Sequence, residues 1–211
     1  MKVEKLLTGR ALRVFHVTRF SSLPVHRKET VGEHLFLASW YALMIGREID
    51  LDKAGELDFG LLLSRALVHD IEESVTGDIV RDVKHGGDGS LAKLLHTMGK
   101  QVVLDIEAEL EIPVLDLWEN SKDDSLEGRI LALADLMTVA AYALEGLKSG
   151  NGFMMEVLER NRAWMIHYTD SLKSCKFRQE AVQILLSVTS DTIDLIGREL
   201  NARDPVLQQT S

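Results

Sequence analysis

An all-α fold is what this sequence predicts, and three observations carry that expectation. The 3 prolines, Pro24, Pro113 and Pro205, all fall outside the long periodic stretches, so none removes a hydrogen bond from a helix interior. Apolar residues at 31, 35, 38, 42, 45 and 49 step by four and three, the period of one helix face. Strand-like alternation bounded by turn residues is absent.

Taken in order, Leu6 to Val17 has the pattern of an opening helix. Residues 19–28 carry Ser21-Ser22, Pro24 and the cations Arg19, Arg27 and Lys28, which predicts a loop. A helix then starts at Val31, with Thr30 and Glu33 in the spacing of a capping box. A third helix is expected from Lys53 to about Glu73, capped by Asp52 and ended by Gly77-Asp78. Three glycines between His85 and Ser90 predict a loop beside the next helix, Leu91 to Leu110, which stops before Pro113. Leu126 to Lys148 is the most apolar segment, so it is expected at the centre. Ser149-Gly150-Asn151-Gly152 breaks it, and Phe153 to Leu172 and Arg178 to Leu200 supply two more helices. The expected organisation is one domain over residues 1–211, with a core from about 10 to 170, a C-terminal helix at about 178–200 and a polar tail over 201–211.

Composition bounds the function. Apolar residues are 45% and charged residues 27%, enough to build a core. The net charge of −9 argues against a nucleic-acid polymer as partner, because polymer binders carry a basic footprint. A phosphorylated small molecule remains open, since a few local cations or a metal can hold it. The single cysteine, Cys175, leaves no intrachain disulfide framework and no cysteine-based zinc site. The first residues lack a signal-peptide core. The longest apolar stretch, Ile130 to Leu144 with Asp135 inside it, is expected to be too short for a bilayer. No membrane partner and a cytoplasmic location follow as expectations.

Chemistry is sought where polar residues interrupt apolar surroundings. Asp135 sits in Ile-Leu-Ala-Leu-Ala-Asp-Leu-Met, and a buried lone carboxylate is costly unless it meets a cation. Either an ion pair or a metal would satisfy it. His69-Asp70 precedes Glu72 and Glu73, with Glu73 at helical spacing from both. Acids clustered around an imidazole are most simply tolerated around a divalent ion. His34 lies in the first turn of its helix without the capping explanation that accounts for Glu33. Together His34, His69, Asp70 and Asp135 make a mixed nitrogen and oxygen set that suits Co, Mn, Zn, Fe or Ni. Four ligands on a six-coordinate ion would leave room for water and substrate.

These residues, at these intervals, resemble the HD-domain phosphohydrolase superfamily, and within it the bacterial 5′-deoxynucleotidases and the related phage dATP triphosphohydrolases. Arg19-Phe20 followed by Glu29-Thr30-Val31-Gly32-Glu33-His34 is similar to that branch's Arg-Trp and Glu-x-Val-x-Glu-His. The block from His69 to Asp78 is similar to its His-Asp-x-x-Glu-x-x-Thr-Gly-Asp. Ala134-Asp135, Glu145 and Gly150-Asn151 also fall in step, so the likeness covers about residues 10 to 170.

The resemblance implies an HD-domain helical bundle with metal ligation by His34, His69, Asp70 and Asp135. It implies that Glu73 activates or positions the attacking water and that Arg19 orients the phosphate, as its planar fork of donors allows. Asp70, Phe20, Asp78, Ile79, Val80 and Arg81 are expected to line the substrate, with Asp78 accepting from the sugar. Lys84 would add positive charge there. One divalent metal is expected rather than two, because His85, which with His96 could serve a second ion, stands among flexible glycines. Mg could assist on a triphosphate. Two departures stand out: Phe20 replaces Trp, keeping apolar bulk in a smaller ring, and Ser21 replaces Pro.

The expected activity is hydrolysis of deoxyribonucleoside 5′-phosphates. It would release phosphate from a monophosphate or, alternatively, tripolyphosphate from dATP or another dNTP. A rival of another class is a non-catalytic nucleotide sensor, and a third is a structural helical protein. Neither rival explains a complete ligand set together with Glu73. A homo-oligomer, a dimer or larger, is implied by the resemblance. It is also suggested by Phe153, Met154, Val157, Leu158, Trp164, Met165 and Ile166, which offer more apolar surface than one helix face needs. Met154, Met155 and Trp164 are accordingly expected in core or interface packing.

Overall fold

A computed structural model describes residues 3–51, 57–84 and 87–203. Among them are ten α-helices and no strands, apart from one isolated bridge between Thr18 and Thr30. The helices are α1 (Val3–Thr8), α2 (Val31–Asp50), α3 (Phe59–Val68), α4 (Glu73–Thr76), α5 (Arg81–Lys84) and α6 (Ser90–Leu110). They continue with α7 (Leu115–Glu119), α8 (Leu126–Lys148), α9 (Met154–Leu172) and α10 (Gln179–Asn201).

The apolar stripe of α2 is buried as its period requires. Val31, Leu35, Ala38, Ala42, Ile45 and Ile49 are all at most 5% exposed. Thr30 and Glu33 form the capping box: the threonine hydroxyl accepts from the Glu33 N–H, and the glutamate accepts from the Thr30 N–H at 2.7 Å. Against α2 lies α8, whose buried residues run round most of its circumference. It packs on α2, α3, α9 and α10. Each fully buried Leu or Ile in this core, such as Leu62, Ile130, Leu133 or Leu158, contributes about 1.5–3 kcal/mol.

By length and composition alone α8 could cross a bilayer, which corrects the expectation that no segment is long enough. Two thirds of its apolar window (67%) is buried inside the protein, the placement of a core helix.

Three boundaries differ from expectation. The opening segment is not one helix: Gly9 takes an extended conformation after α1, and residues Arg10–Phe15 form a 3-10 turn. The third helix starts later, at Phe59, where Asp58 caps it by accepting from the Leu61 N–H at 2.9 Å. Asp52 and Lys53 lie outside the described residues. It also ends earlier, at Val68. The His69 Nδ1–H donates to the Ala66 carbonyl at 2.8 Å, and the backbone tightens into short turns before α4 begins at Glu73. A side chain competing for a helix carbonyl is a known cause of such a break. The short α7 was not foreseen. Residues 204–211 of the expected tail lie outside the described residues.

Candidate metal centre

Two helices and one turn bring the four expected ligands together. His34 sits in the first turn of α2, Asp135 in the middle of α8, and His69-Asp70 in the turn that ends α3. One ligand atom from each lies within 4.8 Å of the others. His34 Nε2 is 3.2 Å from Asp70 Oδ2, 3.2 Å from Asp135 Oδ1 and 3.2 Å from His69 Nε2.

Hydrogen bonds behind the rings assign the tautomers. His69 carries its hydrogen on Nδ1, where Ala66 accepts it. Thr138 gives its own hydroxyl hydrogen to the Asp135 carbonyl at 2.7 Å, so its oxygen accepts from His34 Nδ1 at 2.9 Å. Both Nε2 atoms therefore turn lone pairs inward, toward two carboxylate oxygens. Two imidazole lone pairs and two carboxylate oxygens converge on one point, an arrangement that fits a cation. Burial drives the His69 pKa down to about 4, against the pull of Asp70, so this imidazole is neutral at pH 7, the state a ligand needs. Burial would raise Asp70, but His69, Lys122 and His34 hold it well below the usual carboxylate range.

Beside this set, Asp70, Glu72 and Glu73 offer oxygens within 4.8 Å of one another. Glu73 is 6% exposed, and its Oε2 has no hydrogen-bond partner among the described residues. Burial and the Asp70 charge raise its pKa well above the ordinary value, although Arg19 opposes this. Glu72 is pushed up to about 7 by burial and by Asp70; its Oε2 accepts from Trp118 Nε1 at 2.6 Å.

Arg19 is buried, with Nη1 3.5 Å from Asp70 Oδ2 and Nε 3.5 Å from Glu29 Oε2. Burial alone would lower its pKa, but the carboxylates of Asp70, Glu73, Asp78 and Asp135 raise it overall. Phe20 adopts φ +54°, unusual for a residue with a side chain. Its N–H donates to Asp78 Oδ2 at 3.0 Å, so one oxygen expected to serve the sugar is already engaged by the backbone. The Phe20 ring stacks on Tyr142, centroids 4.8 Å apart and planes 7° from parallel.

A cavity of about 710 Å³ opens over these groups, within the range of small-molecule sites. Arg19, Phe20, Asp70, Glu73, Asp78 and Asp135 line it, as do Ile79, Val80 and Lys84. The side chain of Arg81 and all of His85 lie outside the described residues. His96 stands apart from the ligand set, stacked on Trp118 at 5.1 Å. Val157, which packs against the core as expected, and Trp164 also line the cavity.

Sequence reasoning missed Thr138, Glu29, Trp118 and Lys122. Thr138 had a signal, standing three residues after Asp135 on an apolar helix. Glu29 stands first in the block that ends at His34. Trp118 and Lys122 had none.

Residues 10–183 match the model of the YfbR-like 5′-deoxynucleotidase family. The chain belongs to that family. No curated protein matches the chain in a sequence comparison. Among solved structures, an HD-domain phosphohydrolase from Listeria innocua is similar at a TM-score of 0.73 and 21% identity, over 100% of this chain and 98% of that one. The cyanophage S-2L HD phosphohydrolase DatZ, bound to dA and one catalytic Zn²⁺ ion, gives a TM-score of 0.62 and 17% identity, over 89% and 96%. A conserved hypothetical protein from Pyrococcus furiosus gives 0.66 and 20%, over 90% and 98%. At these identities the structural likeness concerns the fold, and it is the all-α HD fold. Membership of the YfbR-like family makes this chain an HD-type hydrolase of phosphate esters, with a His/Asp set that could hold a metal.

Proposed function

We propose that the chain is a metal-dependent 5′-deoxynucleotidase that releases phosphate from deoxyribonucleoside 5′-monophosphates. The observation that carries this reading is the convergence of two inward-facing imidazole lone pairs and two carboxylates beside Arg19, in a chain of the YfbR-like family. His34, His69, Asp70 and Asp135 would hold one divalent ion, of the Co, Mn, Zn, Fe or Ni group. Such an ion, when bound, acidifies water and polarises a phosphoryl oxygen.

The chain's own residues do the rest. Glu73, through the Oε2 that no protein group engages, accepts the proton of the attacking water and later returns it to the leaving 5′-oxygen. Arg19 orients the phosphate and meets the charge that grows on its oxygens. Phe20, fixed by Tyr142 behind it and by Asp78 at its N–H, offers an apolar wall for the deoxyribose. The segment from Asp78 to Arg81, with Lys84, borders the nucleoside. The active species is a homo-oligomer. Phe153, which precedes α9, and Phe36, Trp40 and Met44, spaced along one stripe of α2, are exposed apolar groups that support this.

A substrate screen tests the reading. Inorganic phosphate released from dAMP, with dATP left intact, is the expected result. Tripolyphosphate released from dATP, with dAMP untouched, would replace the monophosphatase reading by a triphosphohydrolase.

A further inference from the structure

Two cations approach the four-ligand set, each through a different ligand. Arg19 reaches it through Asp70, and Lys122, on the loop between α7 and α8, reaches it through Asp135. The Lys122 Nζ lies 2.7 Å from Asp135 Oδ2, and Asp135 Oδ1 lies 3.2 Å from His34 Nε2. A single carboxylate thus separates the ammonium from the converging ligand atoms. Its field extends across the set, since its charge pulls down both His69 and Asp70.

The loop is built to hold this residue in place. The neighbouring Asp123 receives a two-pronged pair from the buried Arg65, Nη1 to Oδ1 at 3.0 Å and Nη2 to Oδ2 at 2.9 Å. Gly128 allows the loop backbone to press on α8, because a Cβ there would collide with the Asp123 carbonyl. Asp123 is thus paired to a buried side chain, while the Lys122 side chain is 32% exposed and lines the cavity. A long stem on a fixed base can pivot between two acceptors.

Charge accounting gives the pivot a reason. A phosphate monoester brings up to two negative charges into a cavity already edged by Asp70, Asp135, Glu73 and Asp78. Arg19 is divided between Glu29 and Asp70. A divalent ion held by Asp135 would compete for that carboxylate and repel the ammonium, and a phosphoryl oxygen is the acceptor it would then take. We propose that Lys122 is a second phosphate-binding cation of this site, able to turn from Asp135 to a phosphoryl oxygen of the nucleotide. The proposal rests on the phosphohydrolase reading above.

The test compares metal-loaded wild type, Lys122→Met and Lys122→Arg. Calorimetry measures binding of inorganic phosphate and, separately, of 2′-deoxyadenosine, which lacks the phosphate; elemental analysis measures metal content; dAMP turnover supplies KM and kcat. Loss of one charge-assisted hydrogen bond should weaken phosphate binding and raise KM for dAMP by about 10–100-fold in Lys122→Met. Deoxyadenosine binding and metal content should not change, and Lys122→Arg should recover most of the loss. Unchanged phosphate binding in Lys122→Met overturns the proposal. So does loss of metal together with phosphate, which would make Lys122 a support for Asp135 alone, and so does an equal loss of nucleoside and phosphate. A wild type that binds phosphate but hydrolyses neither dAMP nor dATP would instead remove the functional reading and leave the Lys122 site standing.

Discussion

Thr138 determines which nitrogen His34 presents to the ligand set. Its hydroxyl hydrogen goes to the Asp135 carbonyl, so its oxygen accepts from His34 Nδ1 and leaves the Nε2 lone pair facing inward. Partners of this kind orient a ligand ring and set its basicity. Thr138→Val, similar in volume but without the hydroxyl, should lower metal affinity by about 10–100-fold, while Thr138→Ser should restore it. Titration of metal-free protein with Zn²⁺ or Mn²⁺ measures both, and equal affinity in all three proteins would remove Thr138 from the site.

Protein prepared without chelator should carry about one divalent ion per chain. Asp135→Ala should lose it, because this carboxylate supplies one of four converging atoms. Elemental analysis decides. Full nucleotide hydrolysis by metal-free protein would end the metal-dependent reading.

Glu73→Gln should keep the metal and lose turnover by about 10²–10⁴-fold, the span for removing a positioned acid–base group. The amide fills the same space but cannot take the proton. Steady-state kinetics beside metal analysis provides the check, and near-normal kcat would withdraw the water-activating role.

Tyr168 predicts an alkaline limit to stability. Its hydroxyl donates to the Arg129 carbonyl at 2.9 Å, and burial raises its pKa far above the ordinary value near 10. The unfolded chain ionises Tyr168 at about pH 10 while the folded chain keeps the proton. The folded state thus binds more protons, and stability is complete below pH 10 and falls as pH rises above it. Tyr168→Phe should have a flatter profile in chemical denaturation between pH 9 and about 11. An unaltered slope would show that another group sets the limit.

Light scattering at micromolar concentration should give a mass at least twice 23.6 kDa. A monomer mass that does not change on concentration would mean that the exposed stripe on α2 and Phe153 before α9 have no partner copy.

Much of this molecule was legible in its residues, and the reasons are local. The α2 stripe and its capping box, and both ends of α8, follow from period and punctuation that neighbouring residues carry themselves. The four converging residues were legible because these polar groups interrupt apolar runs. The break after Val68 was not, because it depends on the His69 ring taking the Ala66 carbonyl, which no propensity encodes. Trp118 was equally hidden, since its indole N–H finds Glu72 across 46 positions. Lys122 looks like any solvated lysine in a polar loop until Arg65 is seen to fix the residue beside it.

The segment from Arg19 to Glu29 is fastened at both ends and in the middle. Its ends exchange backbone bonds, Arg19 N–H to the Glu29 carbonyl at 2.8 Å and Val31 N–H to the Val17 carbonyl at 2.9 Å. Asn151 donates to the Pro24 carbonyl at 2.8 Å, and the Tyr142 hydroxyl to that of Arg27. A stretch that any sequence reader would class as loop is thereby coupled to α8 and to the turn after it. Hydrogen exchange should therefore find the Arg19 and Val31 amides among the slow ones, and rapid exchange at either would show that this fastening opens on its own. The guanidinium that we propose meets the phosphate is carried by a segment whose backbone is tied to its neighbours at both ends.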